Sequence, residues 1–190
     1  MSTMKRALSV QGLRGNTGNF LLFQLLWPAA VFGAVAGTSV WALLVLILQF
    51  LHGARSVSFQ VDLRAALFGV GVGVVFEVML ITSGLITYQL QPLSWMPPLW
   101  IMLLWAGFAQ TFNHSMAWLH GRVTLSAVAG GLASVVSMYA GLRFSAASTT
   151  ELVYLLCVYG LSWSLIVPLL VRLCFQPARS SVPCNDGRYV

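Results

Sequence analysis

Six long apolar stretches account for most of this chain, and they restrict its fold more than any other feature. A hydrocarbon core about 30 Å thick is crossed by about 20 helical residues, because an α-helix rises about 1.5 Å per residue. None of the stretches shows the alternation of polar and apolar residues that a membrane barrel strand requires. Lipid offers no hydrogen-bond partners to backbone N–H and C=O groups, so only helices and closed barrels can span it. With a barrel excluded, the stretches are predicted to be helices. The sequence therefore predicts an all-α, polytopic membrane protein.

The predicted bundle has six transmembrane helices, at about residues 20–36, 40–51, 63–88, 98–119, 124–142 and 152–171. The first two form one apolar run that is interrupted only at Gly37, Thr38 and Ser39. A tight helical hairpin at this point gives six spans, whereas one long tilted helix gives five. In the six-span arrangement, residues 1–18 form a cytoplasmic N-terminal arm, residues 19–173 the transmembrane domain and residues 174–190 a cytoplasmic tail.

The basic residues distinguish six spans from five. With six spans and a cytoplasmic N-terminus, the outer side carries only Arg143. The other basic residues then lie on the cytoplasmic side: Lys5, Arg6, Arg14, Arg55, Arg64, Arg122, Arg172, Arg179 and Arg188. Five spans would move the first three of these across the membrane and weaken the asymmetry. Because lysine and arginine concentrate in cytoplasmic loops, the pattern predicts six spans with both termini in the cytoplasm.

Composition excludes several classes of protein. Only 7% of the residues are charged and 58% are hydrophobic, too few charges for the surface of a soluble domain. The net charge is +6, but no basic run or aromatic-interleaved patch indicates nucleic-acid binding. Three cysteines, Cys157, Cys174 and Cys184, lack the spacing of a metal site or a disulfide framework. The sequence predicts no metal, no cofactor and no nucleic-acid partner.

Glu77 is the ionisable residue that the sequence places deepest in the membrane. It lies about 20 Å along the third predicted helix from Arg64. Gly69 and Gly73 precede it at intervals of four residues, and Gly84 follows on the same side, so small residues form a groove for another helix. At this depth a carboxyl group is expected to be neutral unless it is paired. Glu77 is either a proton-handling or substrate-binding group, or a partner in an interhelical hydrogen bond, and the second interpretation is favoured.

A cluster of polar residues marks the fourth predicted helix: Gln110, Thr111, Asn113, His114 and Ser115. The spacing puts Gln110, Asn113 and His114 on one helical face, with the other two beside it. Gln110 is placed better than His114 to meet Glu77. Near the cytoplasmic side, Asn19, Gln24, Asn113 and His114 are expected to form a layer that lines a polar cavity.

The cluster supports little enzyme chemistry. One histidine with a serine next to it in a helix does not form a catalytic triad, because neighbouring side chains point about 100° apart. A zinc site needs at least three ligands, whereas His52 and His120 lie at loop level. No catalytic residue is therefore predicted. Two interpretations stay open: a hydrogen-bonded cluster that packs helices, or a pocket for a small ligand or lipid headgroup.

Two sequence segments resemble a known bacterial family. They are NFLLFQLLWPAAVFGA, residues 19–34, and PPLWIMLLWAGFAQTFNHSMAWL, residues 97–119. Both are similar to the proteobacterial inner-membrane proteins grouped as domain of unknown function 2878, over about residues 19–173. The resemblance implies a small protein of the bacterial inner membrane and carries no assigned activity. Members are often encoded near enzymes resembling cyclopropane-fatty-acid synthases, which implies a link to lipid modification. Members tend to have an aspartate in the third helix, where this chain has Glu77.

Three functions are compatible with these features. The leading hypothesis is a non-enzymatic accessory subunit that associates with membrane lipids, and with a membrane-associated lipid-modifying enzyme as a partner. The second is a small proton-coupled transporter or flippase that uses Glu77. The third is an intramembrane lipid-modifying enzyme with His114 as its general base. The sequence leaves the ligand and the oligomeric state open, because small-residue faces serve both internal packing and self-association.

Overall fold

A computed structural model describes residues 2–55 and 59–174, with side chains described from Gly15 onward. Six α-helices confirm the all-α class. Their bounds are α1 Ser2–Val35, α2 Val40–Gly53, α3 Phe59–Thr82, α4 Leu99–Thr111, α5 Val123–Arg143 and α6 Leu152–Cys174. Four helical segments are long and apolar enough to cross a membrane: Gly15–Val35, Phe59–Thr82, Val123–Arg143 and Leu152–Cys174. Helices α2 and α4 are apolar but shorter. The tail beyond residue 174 lies outside the described residues.

The first apolar run folds as the predicted helical hairpin. Helix α1 ends at Val35, α2 begins at Val40, and the two helices pack against each other. Gly37 adopts a φ of +80°, a left-handed conformation that glycine reaches without steric penalty. The Thr38 amide then donates a 2.9 Å hydrogen bond to the Gly33 carbonyl, which closes the helix end. Helix α1 also begins at Ser2, much earlier than the apolar run that predicted it.

The fourth helix is shorter than its apolar pattern predicts, which corrects the expected range of 98–119. Helix α4 ends at Thr111, turns follow, and a short 3₁₀ helix covers Ala117–Leu119. The amides of Asn113 and His114 bond three residues back, at 3.2 Å and 3.0 Å, instead of four. Asparagine and serine compete for backbone hydrogen bonds and so weaken a helix interior. Asn113, His114 and Ser115 therefore lie in a turn and not on a transmembrane helix.

The small-residue groove on α3 is confirmed as a helix–helix contact. A methyl group added at Gly69 would meet the Ala109 side chain, and one at Gly73 would lie 2.5 Å from the Trp105 ring. These approaches bring the backbones of α3 and α4 close together, as small residues do at membrane helix interfaces. Gly84 differs from the expectation, because it follows the end of α3 with a φ of +73° and turns the chain away.

A face of small residues on α5 packs against α6. A methyl group at Gly130 would lie 2.5 Å from Val167 and 3.0 Å from the Trp163 carbonyl. One at Gly131 would lie 2.9 Å from the Gly160 carbonyl. Helix α5 also reaches α1, because the Trp27 indole N–H donates a 2.6 Å hydrogen bond to Ser137 Oγ. The α5–α6 hairpin is thus joined to the other four helices.

The helices alternate in direction, so the molecule has two distinct ends. One end, called the hairpin end here, contains the turns that join α1 to α2 and α5 to α6. At this end strand β1, Thr87–Tyr88, pairs antiparallel with strand β2, Ala147–Ser148. The opposite end, called the basic end here, carries the exposed residues Arg55, Arg64, Arg122 and Arg172. Arg143 is the basic residue of the hairpin end within the described part of the chain. The asymmetry of charge read from the sequence thus coincides with the two ends of the fold.

Candidate functional site

Asp62 forms the centre of a buried polar cluster at the basic end. Its carboxylate lies in the first turn of α3 and is fully buried. His114 Nε2 lies 2.9 Å and 3.0 Å from the two carboxylate oxygens, and Gln110 Nε2 donates a 3.1 Å hydrogen bond to Oδ2. Gln110 Nε2 also lies 3.4 Å from the Gln49 carbonyl oxygen. This Asp62 cluster therefore ties α3 to the end of α4 and to α2.

The chain around the Asp62 cluster fits it closely. A methyl group at Gly53 would lie 2.6 Å from Asp62 Oδ2, 2.8 Å from Gln110 Nε2 and 3.1 Å from His114 Nε2. Glycine at the end of α2 thus lets the backbone cover all three polar groups. A carboxylate in the first turn of a helix is also stabilised by the helix dipole. The His114–Asp62 pair is 1% and 0% exposed, so the backbone closes the cluster from solvent.

The other polar residues expected near the cytoplasmic side are placed separately. Ser115 Oγ donates a 2.8 Å hydrogen bond to Asn19 Oδ1 on α1, and Asn19 is fully buried. Thr111 is buried and donates to the Phe108 carbonyl at 2.6 Å, within its own helix. Asn113 is half-buried in the turn after α4. Gln24 is exposed on α1, so it does not belong to the expected layer.

Several buried polar side chains have an atom without a hydrogen-bond partner among the described residues, and two of these side chains lie at the Asp62 cluster. They are Gln49, whose Oε1 is free while its Nε2 donates to the Gly107 carbonyl at 2.9 Å, and Gln110, whose Oε1 is free. The carboxylate of Asp62 fixes the Gln110 amide with its nitrogen toward the acid, because a carboxylate accepts hydrogen bonds. Its oxygen is thereby turned away from the cluster.

Glu77 forms a second and separate buried cluster. Its Oε2 accepts a 2.6 Å hydrogen bond from the Tyr88 hydroxyl. Its Oε1 accepts from the Trp105 indole N–H at 3.1 Å and from the Tyr159 hydroxyl at 3.2 Å. The carboxyl group is fully buried and joins α3 to β1, α4 and α6. Three donors on one acid satisfy most of its acceptor capacity.

Aromatic rings enclose the Glu77 cluster. Trp105 stacks on Trp163 with 4.7 Å between ring centroids, and Tyr159 stacks on Trp163 at 6.1 Å. Phe76 packs against both Trp105 and Tyr159, at 6.1 Å and 5.3 Å. The large rings fill the centre of the bundle, and Tyr88, Trp105 and Tyr159 direct their polar atoms at the one carboxyl group, as buried tyrosine and tryptophan commonly do.

The two acids do not share partners, which corrects the expected contact between Gln110 and Glu77. Gln110 donates to Asp62, and Asp62 and Glu77 are fifteen residues, or about 22 Å, apart along α3. The close contacts of Gly69 with Ala109 and of Gly73 with Trp105 occupy the space between them. The polar residues therefore form one cluster at the basic end and one at the centre, not one continuous pocket.

The Glu77 cluster reaches a cavity at the hairpin end through Tyr88. This cavity has a volume of about 550 Å³ and is lined by Tyr88 together with residues of β2, the end of α5 and the start of α6. Burial and the adjacent Glu77 carboxyl group raise the pKa of the Tyr88 phenol well above its ordinary value. Tyr88 therefore remains a protonated hydrogen-bond donor at physiological pH.

Metal binding finds no support in these clusters. In residues 15–55 and 59–174, where side chains are described, no group of three or more histidine, cysteine, aspartate or glutamate residues is placed to hold a metal ion. The His114–Asp62 pair brings only two such groups together. A structural zinc site takes four ligands, and a catalytic one takes three with a water.

Sequence analysis did not identify Asp62, Gln49, Tyr88 or Tyr159 as site residues. For Asp62 a signal existed. It precedes Ala66, Gly69, Gly73 and Glu77 at intervals of four, seven, eleven and fifteen residues, so it lies on the same face of α3. The predicted third span begins one residue later, at position 63, and so does not include Asp62. Tyr88 and Tyr159 gave no comparable signal, because an aromatic residue in an apolar stretch is usually a packing residue.

Comparison with protein families gives one match. The model of the family described as "Protein of unknown function (DUF2878)" matches residues 16–169. Neither the curated proteins nor the solved structures include a match to the chain. The matched range includes part or all of each of the six helices and contains both acids, Asp62 and Glu77, with their side-chain hydrogen-bonding partners. The chain belongs to the DUF2878 family.

Proposed function

We propose that this protein is a non-enzymatic, lipid-associated accessory protein of the bacterial inner membrane. The observation that supports the proposal is the state of its two buried acids. Asp62 and Glu77 are fully buried, and each accepts hydrogen bonds from side chains of other chain segments. A general acid or base must come within hydrogen-bonding distance of its substrate. These acids instead contact the protein itself, which favours a role in fixing the helices.

Contact with lipid is supported by the outer surface of the bundle. Large apolar side chains are exposed along α1, α2, α3, α5 and α6, and Leu165 and Val153 are 76% and 75% exposed. Such a surface suits hydrocarbon as its surroundings. An accessory protein would act through this surface and through its ends, while the buried polar clusters keep the helices in register.

The proposal includes six membrane crossings with the basic end in the cytoplasm. Helices α2 and α4 contain 14 and 13 residues, so each is about 20 Å long, less than the hydrocarbon thickness. Both pack between longer helices, and the turn after α4 adds length at the basic end. The four exposed arginines of that end support a cytoplasmic location under the positive-inside rule.

Reporter fusions test the crossings. Fusions after residue 55 and at residue 190 are expected to report the cytoplasm, and a fusion after residue 90 the outer side, because α2 and α3 would each carry the chain across. Alkaline phosphatase is active only on the outer side of the membrane. Green fluorescent protein that is exported unfolded does not fluoresce, so it reports the cytoplasm, and the two fusions give opposite readouts. A cytoplasmic signal from the fusion after residue 90 would contradict the arrangement.

Lipid extracts test the accessory role. Deletion of the gene is expected to change the proportion of at least one membrane lipid class, measured by mass spectrometry. Complementation with His114→Gln is expected to restore the wild-type profile, because a glutamine amide still donates to Asp62. Gln24→Ala, at an exposed position of α1, serves as the control. An unchanged lipid profile in the deletion strain would refute the lipid link. An inserted but inactive His114→Gln variant would instead favour an enzyme.

A second candidate function is proton-coupled transport through Glu77. The contact that favours it is the 2.6 Å hydrogen bond from Tyr88, because Tyr88 also lines the cavity at the hairpin end. A proton donor between a cavity and a buried acid is one part of a relay. The close packing of α3 on α4 between Glu77 and the basic end favours the accessory role.

A further inference from the structure

The cavity at the hairpin end combines one cation with several hydroxyl groups. Arg143 ends α5 at its rim, while Thr87, Ser148 and Thr149 supply hydroxyl groups from the loops. None of the residues that line the cavity is acidic. In the described part of the chain, the Arg143 guanidinium has no hydrogen bond or ion pair with another side chain. The polar lining therefore has the charge and donors that suit an anion.

An apolar groove continues from this cavity along the same two helices. The groove has a volume of about 490 Å³ and runs between α5 and α6. On α5 the two sites share one helical face. Val128, Leu132 and Val135 line the groove, and Tyr139 and Leu142 line the cavity. These five residues follow one another at alternating steps of four and three, the spacing of neighbours on one face of a helix. The stripe on α5 is about 21 Å long.

Helix α6 supplies the other wall of both sites. Leu152 lines the cavity, and Leu156, Gly160 and Ser164 line the groove at steps of four residues. Gly160 leaves room at the floor of the groove, because a methyl group there would lie 2.8 Å from the Val135 side chain on α5. The surface as a whole is polar with one cation at the hairpin end and apolar along the helices, within lipid depth.

We propose that this surface binds one anionic phospholipid, with its phosphate at Arg143 and an acyl chain in the α5–α6 groove. The inference rests on the proposed lipid-associated function and names its ligand class and site. The position differs from the polar residues near His114 that the sequence indicated. Arginine suits a phosphate because its planar guanidinium donates two parallel hydrogen bonds. The phosphate group is common to a lipid headgroup and to free phosphate, and the apolar groove favours the lipid.

Native mass spectrometry of the purified, delipidated full-length protein tests the site. We expect phosphatidylglycerol to bind at least about tenfold more tightly than phosphatidylcholine of the same chain length. Both lipids carry the phosphate, but the choline group of phosphatidylcholine brings a second cation next to Arg143 and cancels the net negative charge of the headgroup. Arg143→Gln is expected to remove this preference. Arg172→Gln, an exposed arginine at the basic end, is the matched control and should keep it. Cys157→Trp, which places a bulky ring in the groove, is expected to weaken the binding of both lipids.

Three outcomes would overturn the assignment: equal affinities of the wild-type protein for the two lipids, loss of preference in Arg172→Gln but not in Arg143→Gln, or displacement of phosphatidylglycerol by millimolar inorganic phosphate. The last outcome would show that Arg143 binds free phosphate and not a lipid headgroup. These measurements use purified protein, so they can fail while the lipid extracts of the deletion strain still differ. The reverse also holds, and the two proposals are separable.

Discussion

Asp62→Ala is expected to lower the free energy of unfolding by about 2–5 kcal/mol, because each buried donor left without an acceptor costs about 1–3 kcal/mol and the removed side chain adds a cavity. The substitution leaves His114 Nε2 and Gln110 Nε2 facing a buried space without their acceptor. An ordinary hydrogen bond between membrane helices contributes only about 0.6 kcal/mol, so a loss of this size requires an acceptor that serves several buried donors. Denaturation of the purified protein in detergent, followed by tryptophan fluorescence, measures the change.

Two variants control this measurement. Asp62→Asn keeps an oxygen for His114, and its new amide group can donate to Gln110 Oε1 once that side chain turns over, so we expect a loss of about 1 kcal/mol. Glu151→Ala removes an exposed acid at the start of α6 and should change stability by no more than about 0.5 kcal/mol. A loss below 1 kcal/mol for Asp62→Ala would show that the Asp62 cluster does not hold the three helices together.

Glu77→Ala is expected to lower the free energy of unfolding by about 3 kcal/mol or more. Three donors, on Tyr88, Trp105 and Tyr159, would lose their common acceptor at the centre of the bundle. Each buried donor left without a partner costs about 1–3 kcal/mol, and the removed side chain adds a cavity. Rotation of the two hydroxyl groups to other acceptors reduces the sum. The same denaturation experiment measures the loss.

Glu77→Gln separates a packing role from proton coupling. The amide oxygen can still accept from Trp105 and Tyr159, and the Tyr88 hydroxyl can turn to accept from the amide nitrogen. We therefore expect a folded protein that loses about 1 kcal/mol of stability and complements the deletion strain fully. A folded Glu77→Gln variant that loses pH-dependent transport in reconstituted vesicles would contradict this and establish the second candidate function.

The helices and their contacts were largely predictable, because hydropathy and residue spacing are local properties of the chain. Gly37 marked the turn of the first hairpin. Gly69 and Gly73 marked a face open to another helix, which the structure shows to be α4. In each case the signal was the absence of a side chain at helical spacing. Such a pattern requires no knowledge of the partner residue.

The end of α4 was not predictable in this way. An apolar pattern continues through Met116, Trp118 and Leu119, yet the helix stops at Thr111. Residues 113–115 leave the helix because their side chains have partners elsewhere: His114 binds Asp62, and Ser115 binds Asn19, 96 residues away. Tertiary hydrogen bonds outweighed a hydrophobic pattern that would have supported two further turns.

The sequence alone determined that the chain is helical with helices apolar enough to cross a membrane, which end of it is basic, and which faces carry small residues. The tertiary structure decided how the polar residues are paired. Asp62 receives Gln110 and His114 from 48 and 52 residues away, and Glu77 receives Tyr159 from 82 residues away. Apolar length and glycine spacing act within one helix and can be read along the chain. A hydrogen bond depends on the rotation and depth of two helices relative to each other, and these are set only when the whole bundle has packed.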